Sequence, residues 1–113
     1  MPEKKELPKS FNRLIVEAGK PVLTDFFATW CNPCKVVSPI ISQLAREYKG
    51  RILSVKIDID KNRHVQRKYL IQSVPTVILF WKGKELFRIV GVQAREYYKE
   101  QIEMHLPKEQ QQS

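Results

Sequence analysis

Cysteine is scarce in this 113-residue chain: there are two, Cys31 and Cys34, both in the stretch Phe26-Phe27-Ala28-Thr29-Trp30-Cys31-Asn32-Pro33-Cys34-Lys35. So few exclude a disulfide-stapled scaffold, and a bridge between these two closes too short a loop to gain much chain entropy. Histidine is equally scarce. His64 and His105 are neither near the cysteines nor paired at ligand spacing, which leaves a zinc site short of ligands. A long hydrophobic run is missing too. The longest, Val74 to Trp81, contains Pro75 and Thr76 and falls far short of the ~20 residues that cross a bilayer. Residues Met1 to Ser10 carry charges without an apolar h-region, so no secretory signal is visible and a reducing cytoplasm is the expected location. There, a C-x-x-C between a strand-like and a helix-like run reads as a working dithiol ahead of half a metal site.

What is present fits one domain over residues 1–113, with residues 1–6 and 108–113 expected as flexible ends. Glu3 to Pro8 reads as an arm or a short edge strand. Ser10 caps a helix with Phe11, Leu14, Ile15 and Ala18 on one side and Gly19 as its stop. Val22 to Ala28 is apolar on both alternating faces, as in a buried central strand. Pro33 opens a helix whose inner side is expected to carry Val36, Val37, Ile40, Ile41, Leu44, Ala45 and Tyr48; Pro39 is expected to kink it and Gly50 ends it. A strand over Ile52 to Asp58 and a basic helix from Asn62 to Leu70 follow. Val77–Trp81 and Glu85–Val90 across Lys82-Gly83-Lys84 read as a hairpin. The last helix spans Ala94 to Leu106, before Pro107. The fold class is α/β: a central mixed sheet of four to five strands with helices on both faces.

At this point the chain resembles the thioredoxin family over about Leu7 to Leu106. The resemblance rests on Asp25-Phe26, Ala28-Thr29-Trp30-Cys31, Pro33-Cys34-Lys35, Pro39, Lys56, Asp58, Asp60, Val74-Pro75-Thr76, Gly83 and Gly91. It implies the thioredoxin fold, with Val22–Ala28 central, Ile52–Asp58 its parallel neighbour and Val77–Trp81 its antiparallel one. It also implies a cis Val74–Pro75 bond facing the dithiol, where Val74 offers backbone hydrogen bonds to an extended target. Trp30 and Gly91 would complete an apolar contact patch, with Asn32 and Pro33 between the cysteines. Two residues depart from the family pattern: Asn32 stands where Gly is usual, and Phe27 where many members have Trp.

The chemistry follows from residue types. A thiolate attacks disulfides, and a cysteine at a helix N-terminus has its pKa lowered by unpaired N–H groups and the helix dipole. Cys31, just before that terminus, is therefore expected to be the more exposed sulfur and the nucleophile; Cys34, inside the first turn, resolves the mixed disulfide. Asp25 sits amid Leu23, Phe26 and Phe27, and a carboxylate there needs a partner or a task unless it turns to solvent at an edge. The family pattern makes it the proton acceptor for Cys34, with Lys56 as its basic neighbour. Trp81, Tyr97, Tyr98, Met104 and both histidines read as packing or surface residues.

The implied activity is thiol–disulfide oxidoreduction, reducing protein disulfides through the redox-active Cys31–Cys34 pair, with no cofactor and no metal. An oxidant or isomerase, and an interaction module using a basic surface, are the other readings. Implied partners are disulfide-containing proteins and a thioredoxin reductase, and the protein is expected to be a monomer. The net charge of +8 has one local concentration, at Lys61, Arg63, Arg67 and Lys68. No nucleic-acid-binding motif accompanies it, so acidic protein partners are favoured over nucleic acid.

Overall fold

The structure, a computed structural model, describes residues 10–108. The expected arm or edge strand at Glu3–Pro8, the flexible N-terminal end and most of the C-terminal one lie outside the described residues. The elements are α1 (Phe11–Glu17), β1 (Val22–Phe27), α2 (Asn32–Glu47), β2 (Leu53–Asp58), α3 (Arg63–Lys68), β3 (Thr76–Trp81), β4 (Lys84–Val90) and α4 (Arg95–His105). Among the described residues the strands form one four-stranded sheet in the order β2-β1-β3-β4. β1 pairs parallel with β2 and antiparallel with β3, the arrangement that the resemblance implies.

β1 is buried along almost its whole length because it lies inside the sheet with helices over both faces. Alternation along the strand divides its side chains. Leu23 joins Val77, Leu79, Phe87 and Ile89 beneath α2 and α4. Val22 and Phe26 join Ile78 and Phe80 against α1, with Val65 and Tyr69 packing at the same side. Asp25 shares the face of Leu23 and therefore looks towards α2.

Ser10 caps α1, its side chain accepting from the Arg13 N–H at 3.5 Å. Val37, Ile41, Leu44 and Tyr48 form the buried stripe of α2. Val36, expected on that side, is 55% exposed. It sits one residue, about 100° of helical rotation, off the stripe, so the pattern alone assigned it wrongly. Pro39 lies within α2 and the helix continues through it. The β3–β4 turn consists of Lys82 and Gly83, both at positive φ (53° and 85°). That geometry matches the right-handed twist of the hairpin. A Cβ at Gly83 would come within 2.9 Å of the Val16 side chain, which ties the turn to α1. Among the described residues no helix is long and apolar enough to cross a membrane.

Candidate functional site

The two cysteines stand at the start of α2, Cα atoms 5.3 Å apart and bridged by a disulfide. Cys31 is the N-cap residue, with extended backbone, and its Sγ accepts the backbone N–H of Cys34 at 3.1 Å. Pro33 occupies the first turn, where a missing N–H removes no helical bond. Cys31 was expected to be the more exposed sulfur, but both residues are 3% exposed. Joined to each other, they pack into the apolar cluster of Ala28, Ile59 and Ile71, so access does not rank them. The distinction is electrostatic: Cys31 Sγ receives a helix-terminal N–H, which favours negative charge on that sulfur.

Asn32 is exposed, and its side chain makes no hydrogen bond among the described residues. The donor to Cys31 is the backbone of Cys34, so a side-chain bond from Asn32 to the sulfur has no place here. Asn32→Gly is accordingly expected to leave the reduction potential within about 30 mV of the parent, equivalent to ~1.4 kcal/mol for two electrons. Equilibration of both proteins with glutathione checks this; a larger shift would show that the side chain reaches the reduced dithiol.

Asp25 is 1% exposed, which removes the reading of a solvent-facing edge residue. The Ser38 hydroxyl donates to its Oδ2 at 2.6 Å, and Oδ1 is buried without a hydrogen-bond partner among the described residues. Burial pushes the Asp25 pKa above the ordinary carboxylate value, opposed by the Ser38 hydrogen bond and the Lys56 charge. Lys56 is the strand partner of Asp25 in β2. It is exposed, with Nζ 5.0 Å from the centre of the Phe27 ring, and among the described residues no salt bridge joins it to Asp25. Its influence is that of a nearby charge.

The rim is built from three segments. Trp30 is 67% exposed, and its indole N–H donates to Asp60 Oδ2 at 2.8 Å. The Val74–Pro75 peptide is cis, as the resemblance implies, and Val74 packs against the cluster that holds both cysteines. Gly91, at φ 88°, donates its N–H to the Pro75 carbonyl at 2.9 Å. A Cβ there would meet nothing within 4 Å, so glycine is required by the backbone angle and not by space. The hydroxyl of buried Tyr98 donates to the Gly91 carbonyl at 3.0 Å and accepts the Gln93 N–H at 3.2 Å. The expected site residues thus fall around one end of β1, with Val90 and Val92 exposed beside Gly91.

Three contributors escaped the sequence reading. Ser38 had a signal, its position four residues after Cys34 on the same helix. Asp60 belonged to the family pattern without a role, and Tyr98 was read as packing only. Of the two histidines, His64 is exposed and His105 meets the Phe87 ring at a tilt, 5.5 Å between ring centres.

Comparison with known proteins gives a consistent result. The family model Thioredoxin matches residues 3–104. A thioredoxin of Staphylococcus aureus is 41% identical over 91 residues, covering 80% of this chain and 86% of that protein. The bifunctional thioredoxin reductase/thioredoxin of Mycobacterium leprae is 41% identical over 86 residues, which are 76% of this chain and 19% of that longer protein. Among solved structures, a mutant thioredoxin from Halobacterium salinarum NRC-1 superposes with a TM-score of 0.73 at 32% identity, covering 82% of this chain and 80% of that one.

Proposed function

This chain belongs to the thioredoxin family and is a thiol–disulfide oxidoreductase, and from that premise we propose that it works as a reductant of protein disulfides in which Cys31 attacks and Cys34 resolves. The observation that carries the assignment is the Cys34 N–H donated to Cys31 Sγ at 3.1 Å at the head of α2. In the reduced protein this N–H stabilises a thiolate on Cys31. That thiolate attacks one sulfur of a target disulfide, displaces the other as a thiolate, and leaves the target bound through Cys31. Cys34 gives its proton to Asp25 and attacks Cys31. The intramolecular disulfide forms and the second target sulfur departs reduced. No cofactor or metal enters these steps; the electron pair comes from the dithiol.

Target contact falls to the rim: Trp30, Asn32, Pro33, Val74, Pro75 and Gly91. An extended segment can add to the backbone at Val74 while its apolar side chains meet Trp30 and the exposed valines. Recycling falls to a thioredoxin reductase. The relative from Mycobacterium leprae joins a reductase and a thioredoxin in one chain, which supports that pairing. The net charge of +8 favours acidic targets in a reducing, cytoplasmic setting.

An assay coupled to thioredoxin reductase tests this. The protein is expected to turn over with an acidic disulfide-containing target, and the second-order rate should fall steeply from low to physiological salt. A small neutral disulfide should show little salt dependence. Flat responses for both would make the charge a solubility feature. Oxidation of reduced proteins without turnover as a reductant would identify an oxidant instead.

A further inference from the structure

Ser38 follows Cys34 by one helical turn on α2, so both side chains emerge on the same face. They line a single cavity of about 390 Å³ together with Thr29, Lys35 and Lys56. The two oxygens of Asp25 differ sharply. Oδ2 is held by the Ser38 hydroxyl at 2.6 Å, whereas Oδ1 is buried with no partner among the described residues. We infer that Ser38 is a positioning residue for the resolution step: by holding Oδ2 it presents Oδ1 of Asp25 as the oxygen that takes the Cys34 proton. The inference rests on the reading of Asp25 as acceptor and adds the device that orients it.

A carboxyl group turns readily about its last side-chain torsion, where rotamer wells are broad. A strong bond to one oxygen stops that motion and fixes the direction of the other. The same bond favours the ionised carboxylate, because the hydroxyl donates to it. The other groups facing Asp25 do not perform this task. Lys56 on β2 acts only through its charge, and Tyr98 on α4 commits its hydroxyl to Gly91 and Gln93. β3 offers Val77, which is apolar.

The Cys34 thiol gives its proton to Oδ1, and the resulting thiolate forms a bond to Cys31 Sγ. The bond from Cys31 to the target sulfur breaks, and its electron pair leaves on the target thiolate. The dithiol is oxidised, the target is reduced, and Asp25 then returns its proton to solvent.

The test is the single-turnover release of target thiol, followed from about pH 5 to about pH 9 in the parent, Ser38→Ala, Ser38→Thr and Asp25→Asn. The parent rate should rise with pH through a step that Asp25→Asn removes. Ser38→Ala should move this step to higher pH and, because nothing then fixes the direction of Oδ1, leave the alkaline plateau below that of the parent as well, slowing release about three- to tenfold near neutrality. Ser38→Thr, which keeps the hydroxyl, should restore the parent profile. A Ser38→Ala profile that coincides with the parent, or that regains the parent rate at the alkaline end, overturns the inference. So does a step displaced equally by Thr, since the hydroxyl would then not be the cause. Should Asp25→Asn retain the step, the acceptor reading itself fails and the inference falls with it.

Discussion

Cys31→Ser is expected to lower protein-disulfide reduction at least about 10³-fold, to background, because a serine hydroxyl is not ionised at neutral pH and cannot open a disulfide. Cys34→Ser should behave differently. Its Cys31 thiolate still receives the helix-terminal N–H of residue 34, a backbone group that the substitution leaves in place. It should therefore attack targets at a near-parental rate and then stop, accumulating mixed disulfides that mass spectrometry resolves as adducts. The two cysteine residues are equally buried, so residue burial does not rank them and the contrast between variants reports the electrostatics of the helix terminus. Adducts formed by Cys31→Ser instead would reverse the roles.

Asp25→Asn is expected to stabilise the protein while slowing resolution. Burial raises the folded pKa of Asp25 above its ordinary value of 3.8, which an unfolded chain retains. Between those two values the folded protein keeps a proton that the unfolded chain has released, so stability falls as pH rises through the window. Below about 3.8 both states are protonated and the penalty vanishes; above the folded value it is complete and constant. Asparagine carries no charge at any pH and can still accept from Ser38. The gain should be roughly 1–3 kcal/mol at alkaline pH, the excess of burying an ion over burying an unpaired neutral group. Denaturant unfolding of the oxidised proteins at acid and alkaline pH measures it, and a gain that persists unchanged at low pH would contradict this origin. Resolution should slow up to about 10²-fold near neutrality, the lower range for loss of a general base. Parental kinetics would remove Asp25 from the proton path.

Much of this was legible along the chain because each signal is local. The apolar run at Val22–Phe27 marks a buried central strand, the hairpin signal at Lys82-Gly83 marks a tight turn, and Cys31 before Pro33 marks a helix start. Alternation along β1 puts Asp25 on the face of Leu23 whatever covers that face. Val36 shows where a local pattern stops being enough. Its type and spacing admit the inner side of α2, and only the direction from which the sheet approaches the helix turned it outward.

What the sequence by itself determined was the elements, their order and the dithiol at a helix N-terminus, since propensity, capping and hydrophobic period act over a few residues. Tertiary structure decided the environment of each reacting group. Ser38 meets Asp25 only because α2 packs over β1, Trp30 finds Asp60 across the chain, and Tyr98 on α4 holds the loop of Gly91 that bonds back to Pro75. The equal burial of Cys31 and Cys34 is of the same kind. Burial and proton affinity depend on every segment surrounding a group, and those neighbours come from distant parts of the chain that only packing brings together.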